Sequence, residues 1–179
     1  MIGAMLFGAA SIRPAVATDA RAIAEVQVAT WKTTYRGIVP DALLDGLSVD
    51  EREQRWQERL STGDPMLVAC DAAGNVEGFV CGGAERTGRL GCDGELYAIY
   101  LLERVQRQGL GTLLVNQFVR ELRARGFTSM ALWVLALSPF RRFYEALGGK
   151  VIAEREHERG GQMIPEVAYG WGDLTRFGL

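Results

Sequence analysis

The segment that most constrains the fold is a strand-like run that passes through a short glycine turn into an amphipathic helix. Residues 96–102 are apolar, and the turn at residues 106–111 has the pattern Gln-x-x-Gly-x-Gly. One stripe of the following helix is apolar and comprises Leu110, Leu114, Val115, Phe118 and Leu122. This spacing is typical of a buried helix face, so we expect a strand, a tight turn and a helix packed on a core.

The turn is also a candidate anion-binding site. The first N–H groups of a helix have no partner within it, and the helix dipole favours negative charge there by roughly 0.3–1 kcal/mol. Gly109 and Gly111 carry no Cβ, so a phosphate could approach their main chain, and Arg107 could add a charged hydrogen bond. We therefore expect a phosphorylated cofactor; the alternative is a glycine turn without a ligand.

Two better-known glycine motifs do not fit this turn. A dinucleotide-binding turn needs a third glycine, and Leu114 stands in its place. A nucleotide P-loop needs four residues between its glycines, followed by Lys-Ser or Lys-Thr, and neither feature is present.

Composition narrows the class of protein. With 179 residues and 23% charged residues, the chain is expected to form one domain over residues 11–179, preceded by an extension at residues 1–10. A net charge of −2 argues against nucleic-acid binding. No apolar run is as long as a membrane span. Cys70, Cys81 and Cys92 cannot all pair, so we expect reduced thiols and a cytoplasmic location.

The expected order of elements is β-α-α-β-β-β-α-β-α-β-β, which predicts an α/β (α+β) fold. It has a single mixed, mostly antiparallel sheet flanked by helices. Ser48 and Glu51 form a capping box that opens the second helix. Two hairpins are expected, one over residues 66–85 and one that closes the chain over residues 150–169. The closing strands offer an edge that could pair between two subunits of a homodimer.

The turn and a later segment together resemble the GNAT superfamily of N-acetyltransferases. The later segment, PFRRFYEALGG, contains the Phe143-Tyr144 pair before a Leu-Gly turn. The resemblance covers about residues 12–173 and implies acetyl-CoA as the co-substrate. It maps the cofactor-binding positions onto Ile99, Tyr100, Leu101, Arg107, Gln108, Gly109, Leu110, Gly111, Thr112, Ser138 and Tyr144.

The sequence departs from the family pattern beside that segment. An asparagine usual seven residues before the tyrosine is replaced by Leu137, and a small residue four before it is replaced by Phe140. Ser138 is then the nearest polar side chain, with a role as helix N-cap as the favoured alternative.

The resemblance implies transfer of an acyl group from a thioester to a primary amine, by direct attack in a ternary complex. A lysine-like amine with a pKa of about 10.4 is almost entirely protonated at pH 7, so its proton must be removed. Tyr144 is the candidate acid for the departing thiolate. Glu95 is the candidate base, with an exposed strand-end charge as the alternative role for this residue.

The acceptor pocket is expected to involve Trp31 and Tyr35, which lie four residues apart on one helix face and could form an aromatic wall. Ordinary core packing is the alternative. His157 lies in a charged run that is typical of a solvated strand. No spacing of ligand residues suggests a metal site.

The leading hypothesis is an acetyl-CoA-dependent N-acetyltransferase acting on an amine of a small molecule or peptide. The alternative is a non-catalytic module of the same fold that binds or senses acyl-CoA. A weaker alternative is a phosphate-binding structural protein. The sequence leaves the acceptor open among polyamines, aminoglycosides, amino acids and protein N-termini.

Overall fold

A computed structural model describes residues 5–7 and 10–177 of the chain. Its sheet has eight strands in the order β1-β2-β3-β4-β5-β6-β8-β7. The strands are β1 (Met5–Phe7), β2 (Ala10–Pro14), β3 (Met66–Cys70), β4 (Val76–Ala84), β5 (Gly94–Leu101), β6 (Met130–Leu135), β7 (Lys150–Arg159) and β8 (Gln162–Trp171). Only β5 and β6 run parallel; every other neighbouring pair is antiparallel. This confirms the predicted mixed, mostly antiparallel sheet.

Helices cover both faces of the sheet. They are α1 (Ala20–Thr34), α2 (Asp41–Asp45), α3 (Val49–Ser61), α4 (Leu110–Ala124) and α5 (Arg141–Ala146). The predicted apolar stripe of α4 is buried, with Leu114, Phe118 and Leu122 at 0% exposure in the larger core cluster. Ile23 and Val26 of α1 pack with Val68 and Phe79 in a second cluster. Burying each large side chain contributes about 1.5–3 kcal/mol, so these faces anchor the helices firmly.

Two elements lie outside the predicted order. The short helix α2 follows Pro40, and β1 pairs antiparallel with β2 within the segment expected to be an extension. Residues 1–4, 8 and 9 of that segment lie outside the described residues. The predicted cap at Ser48 is present, since its Oγ accepts the N–H of Glu51 at 3.3 Å. Both predicted hairpins are also present.

The parallel strands β5 and β6 separate soon after they begin. They pair only at Gly94 with Met130 and at Glu95 with Ala131. On the other side of β5, the register with β4 slips by one residue between Cys81 and Gly82. A bulge of this kind bends a strand and increases its twist. The bend opens a gap between β5 and β6, and this gap holds the candidate site.

Candidate active site

The glycine turn presents a row of free main-chain donors. The six N–H groups of residues 107–112 donate no hydrogen bond to any other described residue. Gly109 has φ of 85° and Arg107 has φ of 59°, both in the left-handed region. Arg107 is the one non-glycine residue within residues 10–177 with a positive φ. Alternating left- and right-handed residues turn successive N–H groups to one side, which forms an anion-binding nest.

Side chains brace this nest against the end of β5. The Nε2 group of Gln106 donates to the carbonyl of Leu101 at 2.8 Å, and the same carbonyl accepts the hydroxyl of Thr30 at 3.2 Å. The Nε2 group of Gln108 donates to the carbonyl of Arg104 at 2.8 Å. The glutamines are therefore occupied in holding the turn, which leaves its N–H groups free for a ligand.

A groove of about 370 Å³ leads away from the nest. The predicted cofactor residues Ile99, Tyr100, Leu101, Arg107, Gly109, Gly111, Thr112, Ser138 and Tyr144 line it, and Gln108 and Leu110 lie in the same turn. A Cβ added to Gly111 would lie 3.3 Å from the Leu101 side chain and 3.4 Å from Phe143. The glycine thus lets helix, strand and groove wall approach closely.

A second, smaller cavity of about 110 Å³ lies beyond the gap between β5 and β6. Aromatic and aliphatic side chains of α1, β5 and β6 and Tyr144 of α5 form much of its wall. Arginines and one glutamate of β7, β8 and the loop after β4 complete it. Trp31 and Tyr35 both line it and pack edge to face with ring centroids 5.1 Å apart. A role for these two residues in binding the acceptor stays a prediction.

The groove and the cavity meet at four residues, since Tyr35, Ile99, Tyr100 and Tyr144 line both. Burial raises the pKa of each of the three tyrosines above its ordinary value, and at Tyr35 and Tyr144 neighbouring tyrosines add to the shift. All three hydroxyls are consequently protonated at neutral pH. The junction of the two spaces is therefore a cluster of hydroxyl donors.

A polar network around the buried Tyr169 supports the helix that carries Tyr144. Tyr144 is 9% exposed, on α5, and its ring centroid lies 6.0 Å from that of the fully buried Tyr169. The Tyr169 hydroxyl accepts Nε–H of Arg141 at 3.0 Å and donates to the Glu145 carboxylate at 2.7 Å. Because Arg141 and Glu145 both belong to α5, this network fixes the helix that carries Tyr144.

The structure argues against Glu95 as the general base. Its side chain is 1% exposed and lines neither the groove nor the cavity. The carboxylate accepts the main-chain N–H of Arg86 at 3.1 Å and is also bound by the Arg86 guanidinium. Because the carboxylate is buried and bound to Arg86, it does not reach an acceptor in either space. Glu95 is a structural ion-pair partner here.

Ser138 does not cap α5, whose N-cap residue is Phe140 and has no side-chain cap bond. Ser138 is 6% exposed and lines the groove, and its Oγ accepts the N–H of Phe140 at 3.3 Å in the turn before α5. Its role in cofactor binding stays a prediction. Leu137 is 71% exposed, so the residue in place of the usual asparagine points to solvent. His157 is exposed on β7, outside both spaces.

The sequence analysis missed the charged side of the cavity. Arg155 and Arg159 line it from β7, and the buried Glu166 lines it from β8. The charged run at residues 154–159 indicated a solvated strand, and its glutamates and histidine are exposed. A usable signal was present, because the two arginines are four residues apart and so share one face of a strand. The apolar surroundings of Glu166 were a second signal.

Comparison with known proteins identifies the family. The model of the FR47-like protein family matches residues 85–158. The uncharacterised N-acetyltransferase YuaI of Bacillus subtilis is 41% identical over 165 residues, which are 92% of this chain and 94% of YuaI. The chain belongs to the GNAT superfamily of N-acetyltransferases. The phosphinothricin N-acetyltransferase of Streptomyces viridochromogenes is 30% identical to this acetyltransferase over 142 residues, or 76% of this chain and 72% of the relative.

Solved structures agree with this GNAT fold. The PaiA N-acetyltransferase of Thermoplasma acidophilum, in complex with coenzyme A, has a TM-score of 0.69 and 21% identity, covering 88% of this chain and 97% of its own. YncA of Salmonella typhimurium, with acetyl-CoA, has a TM-score of 0.66 and 21% identity, covering 96% and 98%. In this acetyltransferase, the six free N–H groups of residues 107–112 and the groove that leads from them fit a diphosphate with an attached arm.

Two negative findings concern only the described part of the acetyltransferase. None of its helices within residues 10–177 is long and apolar enough to cross a membrane. The same residues contain no group of three or more His, Cys, Asp or Glu side chains placed to hold a metal ion.

Proposed function

We propose that this enzyme transfers the acetyl group of acetyl-CoA to a primary amine of a small molecule or peptide by direct attack. The observation that carries the proposal is the meeting of groove and cavity at Tyr35, Ile99, Tyr100 and Tyr144. A thioester arm lying in the groove and an amine lying in the cavity would come together at this junction. Proximity of this kind is what a reaction in a ternary complex requires.

The main chain of the turn would bind the diphosphate of acetyl-CoA. The free N–H groups of residues 107–112 supply donors, and the dipole of the fifteen-residue helix α4 adds favourable potential. The guanidinium of Arg107 borders the same groove and adds a positive charge. The acetyl thioester would then lie towards Tyr144.

The lining of both spaces favours direct attack over a covalent acyl-enzyme. Neither the groove nor the cavity is lined by a cysteine, and burial raises the pKa of Cys81 to about 12. Ser138 has its hydroxyl engaged with the main chain and no neighbouring base. An activated nucleophile needs such a base or a lowered pKa.

The proposed reaction forms a C–N bond and breaks the C–S bond. The nitrogen gives up one proton, and the thiolate of coenzyme A gains one, so protons balance. Tyr144, protonated because burial raises its pKa, would donate a hydrogen bond to the departing sulfur. A positioned donor of this kind is worth about 10²–10⁴-fold in rate.

The amine proton would pass to water. Glu166, the one carboxylate that lines the cavity, is bound by Arg155 and Arg159. Burial alone would raise the pKa of Glu166, but the bonds and charges of these arginines outweigh it and lower the pKa. A weakly basic carboxylate is a poor base, whereas positive charge around the cavity disfavours the ammonium form of the acceptor.

The test is release of coenzyme A thiol from acetyl-CoA with a panel of amines, including amino acids, polyamines, aminoglycosides, peptides and phosphinothricin. We expect at least one acceptor, with intersecting lines in double-reciprocal plots. Tyr144→Phe should lower kcat by about 10²–10⁴-fold with KM for acetyl-CoA within about threefold. Tyr35→Phe is the comparison, because a larger loss there would move the acid to Tyr35. No thiol release with any amine would overturn the proposal.

A further inference from the structure

The acceptor cavity holds more positive than negative charge. Arg155 and Arg159 of β7 both bind one carboxylate, that of Glu166 on β8: Arg155 Nε lies 2.8 Å from Oε2, and Arg159 Nε lies 3.0 Å from Oε1. Arg86 lines the cavity as well and is neutralised by Glu95, which lies outside it. One arginine charge at the β7 face of the cavity is thus unbalanced.

Three arginines thus line the cavity, and the two glutamates that bind them leave one positive charge unmatched. Such a site attracts an anion.

The guanidinium groups have donors to spare. A guanidinium carries five N–H donors, two of them on Nη1. Arg155 and Arg159 bind Glu166 through Nε and Nη2, and the Nη1 of neither donates to another described residue. Arg155 is also held flat over the Trp133 ring, with its Cζ 3.9 Å from the ring centroid. Arg155 and Arg159 are therefore held in position by Glu166 and still have N–H donors available for a ligand.

A buried indole N–H group points to the same conclusion. Nε1 of Trp133 is buried without a hydrogen-bond partner among the described residues, and Trp133 lines this cavity. An indole nitrogen is a donor only, and a buried donor is normally paired. This donor is accounted for if the cavity receives a ligand that carries acceptor atoms.

We propose that the acceptor of this enzyme is a small amine that also bears an acidic group, such as a carboxylate, bound by Arg155 and Arg159. The indole N–H group of Trp133 adds a neutral donor to the same site. An amino acid is the simplest molecule with this chemistry. This inference rests on the proposed function, since it names the class of amine that the cavity selects.

The first experiment compares matched acceptors. Each of the twenty common α-amino acids is assayed beside its carboxamide and its decarboxylated amine, at equal concentrations of neutral amine. We expect the acid to be preferred by about tenfold or more in kcat/KM, because charge-assisted bonds to the arginines are lost in the neutral analogues. Equal use of acid and neutral forms would overturn this inference and leave the proposed function standing. No acetylation of any amine would overturn both.

The second experiment uses Arg159→Met, which leaves Arg155 to neutralise Glu166. We expect kcat/KM for the acid to fall about tenfold or more, and that for its carboxamide to change by less than about threefold. Arg159→Lys should retain part of the preference. Arg176→Met is the control, since it removes the same charge from a side chain that is 88% exposed and lines neither space.

A purely structural role for Arg159 would give a different result. In that case Arg159→Met would lower activity on acid and carboxamide equally, which would overturn the inference. Calorimetric titration with coenzyme A checks the fold of each variant, because the binding groove does not include Arg159. Unchanged coenzyme A affinity with lost acid preference is the expected combination.

Discussion

The cofactor groove and the acceptor cavity are built from different parts of the polypeptide. At the nest, the available donors are six consecutive main-chain N–H groups, within one turn at residues 107–112. At the cavity, side chains from α1, β5, β6, β7 and β8 converge. Main-chain N–H groups are present whatever the side chains are, so they suit the diphosphate that all coenzyme A thioesters share. The side chains that line a cavity can differ from one relative to the next. Under the proposed function, the groove would therefore bind the shared acyl donor, and the cavity would select the acceptor.

Gly109→Val gives the sharpest test of the main-chain site. Valine at φ of 85° is strained, and its branched side chain would lie in the nest. We expect Kd for coenzyme A to rise by about 100-fold or more, because several charge-assisted N–H bonds are lost together. Isothermal titration calorimetry measures this directly.

Gly126→Val is the matched control for that variant. Gly126 has φ of 92° and no atom within 4 Å of an added Cβ, so it suffers similar strain at the other end of α4. It should lose stability and keep its affinity for coenzyme A. Equal loss of affinity in the two variants would show that strain, and not the nest, controls binding.

Tyr169→Phe tests how far the position of Tyr144 depends on the polar network around Tyr169. The change removes the hydroxyl that joins Arg141 to Glu145 on the helix that carries Tyr144. We expect the free energy of unfolding to fall by about 1–3 kcal/mol and kcat to fall about tenfold. Urea denaturation and initial rates measure the two effects. If kcat were unchanged while stability fell, the network would support the fold and not the position of Tyr144.

Asp93→Asn tests the end at which β5 and β6 are still paired, where no ligand is expected. Asp93 accepts the N–H and hydroxyl of Thr128 at 2.8 Å each, and binds Ser129 in the same way. Burial alone would raise the pKa of Asp93, but these bonds outweigh it and lower the pKa. We expect a loss of about 1 kcal/mol at pH 7, because the carboxylate is exposed and solvent screens it.

The pH dependence of that loss has a definite sign. A lowered pKa in the folded state contributes stability above the unfolded value of about 3.9 and loses it as the pH falls further. The difference between Asp93→Asn and the parent in urea denaturation should therefore shrink below about pH 4. Activity should stay within about twofold. A large loss of kcat would show that the paired end of β5 and β6 affects catalysis where these strands separate.

The smallest expected effect is the change of kcat at alkaline pH that depends on Tyr144, where the groove and the cavity meet. Burial raises the pKa of Tyr144, so the hydroxyl keeps its proton well past neutral pH. We expect kcat to change by less than about twofold between pH 8 and pH 10 once the amine is neutral. A fall in that range that disappears in Tyr144→Phe would contradict the assignment.

The contrast between the two spaces also explains which predictions could be made from the sequence. Gly109 and Gly111 mark a turn whose geometry depends on residues adjacent in sequence, so the pattern predicts the local structure. The structure argues against Glu95 as the base for the opposite reason. Glu95 opens the cofactor strand, but its environment depends on Arg86, which reaches it from across a β-hairpin. A carboxylate's availability is a property of its three-dimensional partners.

The sequence by itself determined the strand–turn–helix unit, the apolar face of α4, the hairpins and the family, because each depends on short-range periodicity or local backbone geometry. Tertiary structure alone decided that β5 and β6 separate, that three tyrosines meet where two spaces join, and that Arg155 and Arg159 turn inward beside Glu166. The physical reason is burial. Charge, pKa and unpaired donors acquire their meaning from neighbours that are distant along the chain.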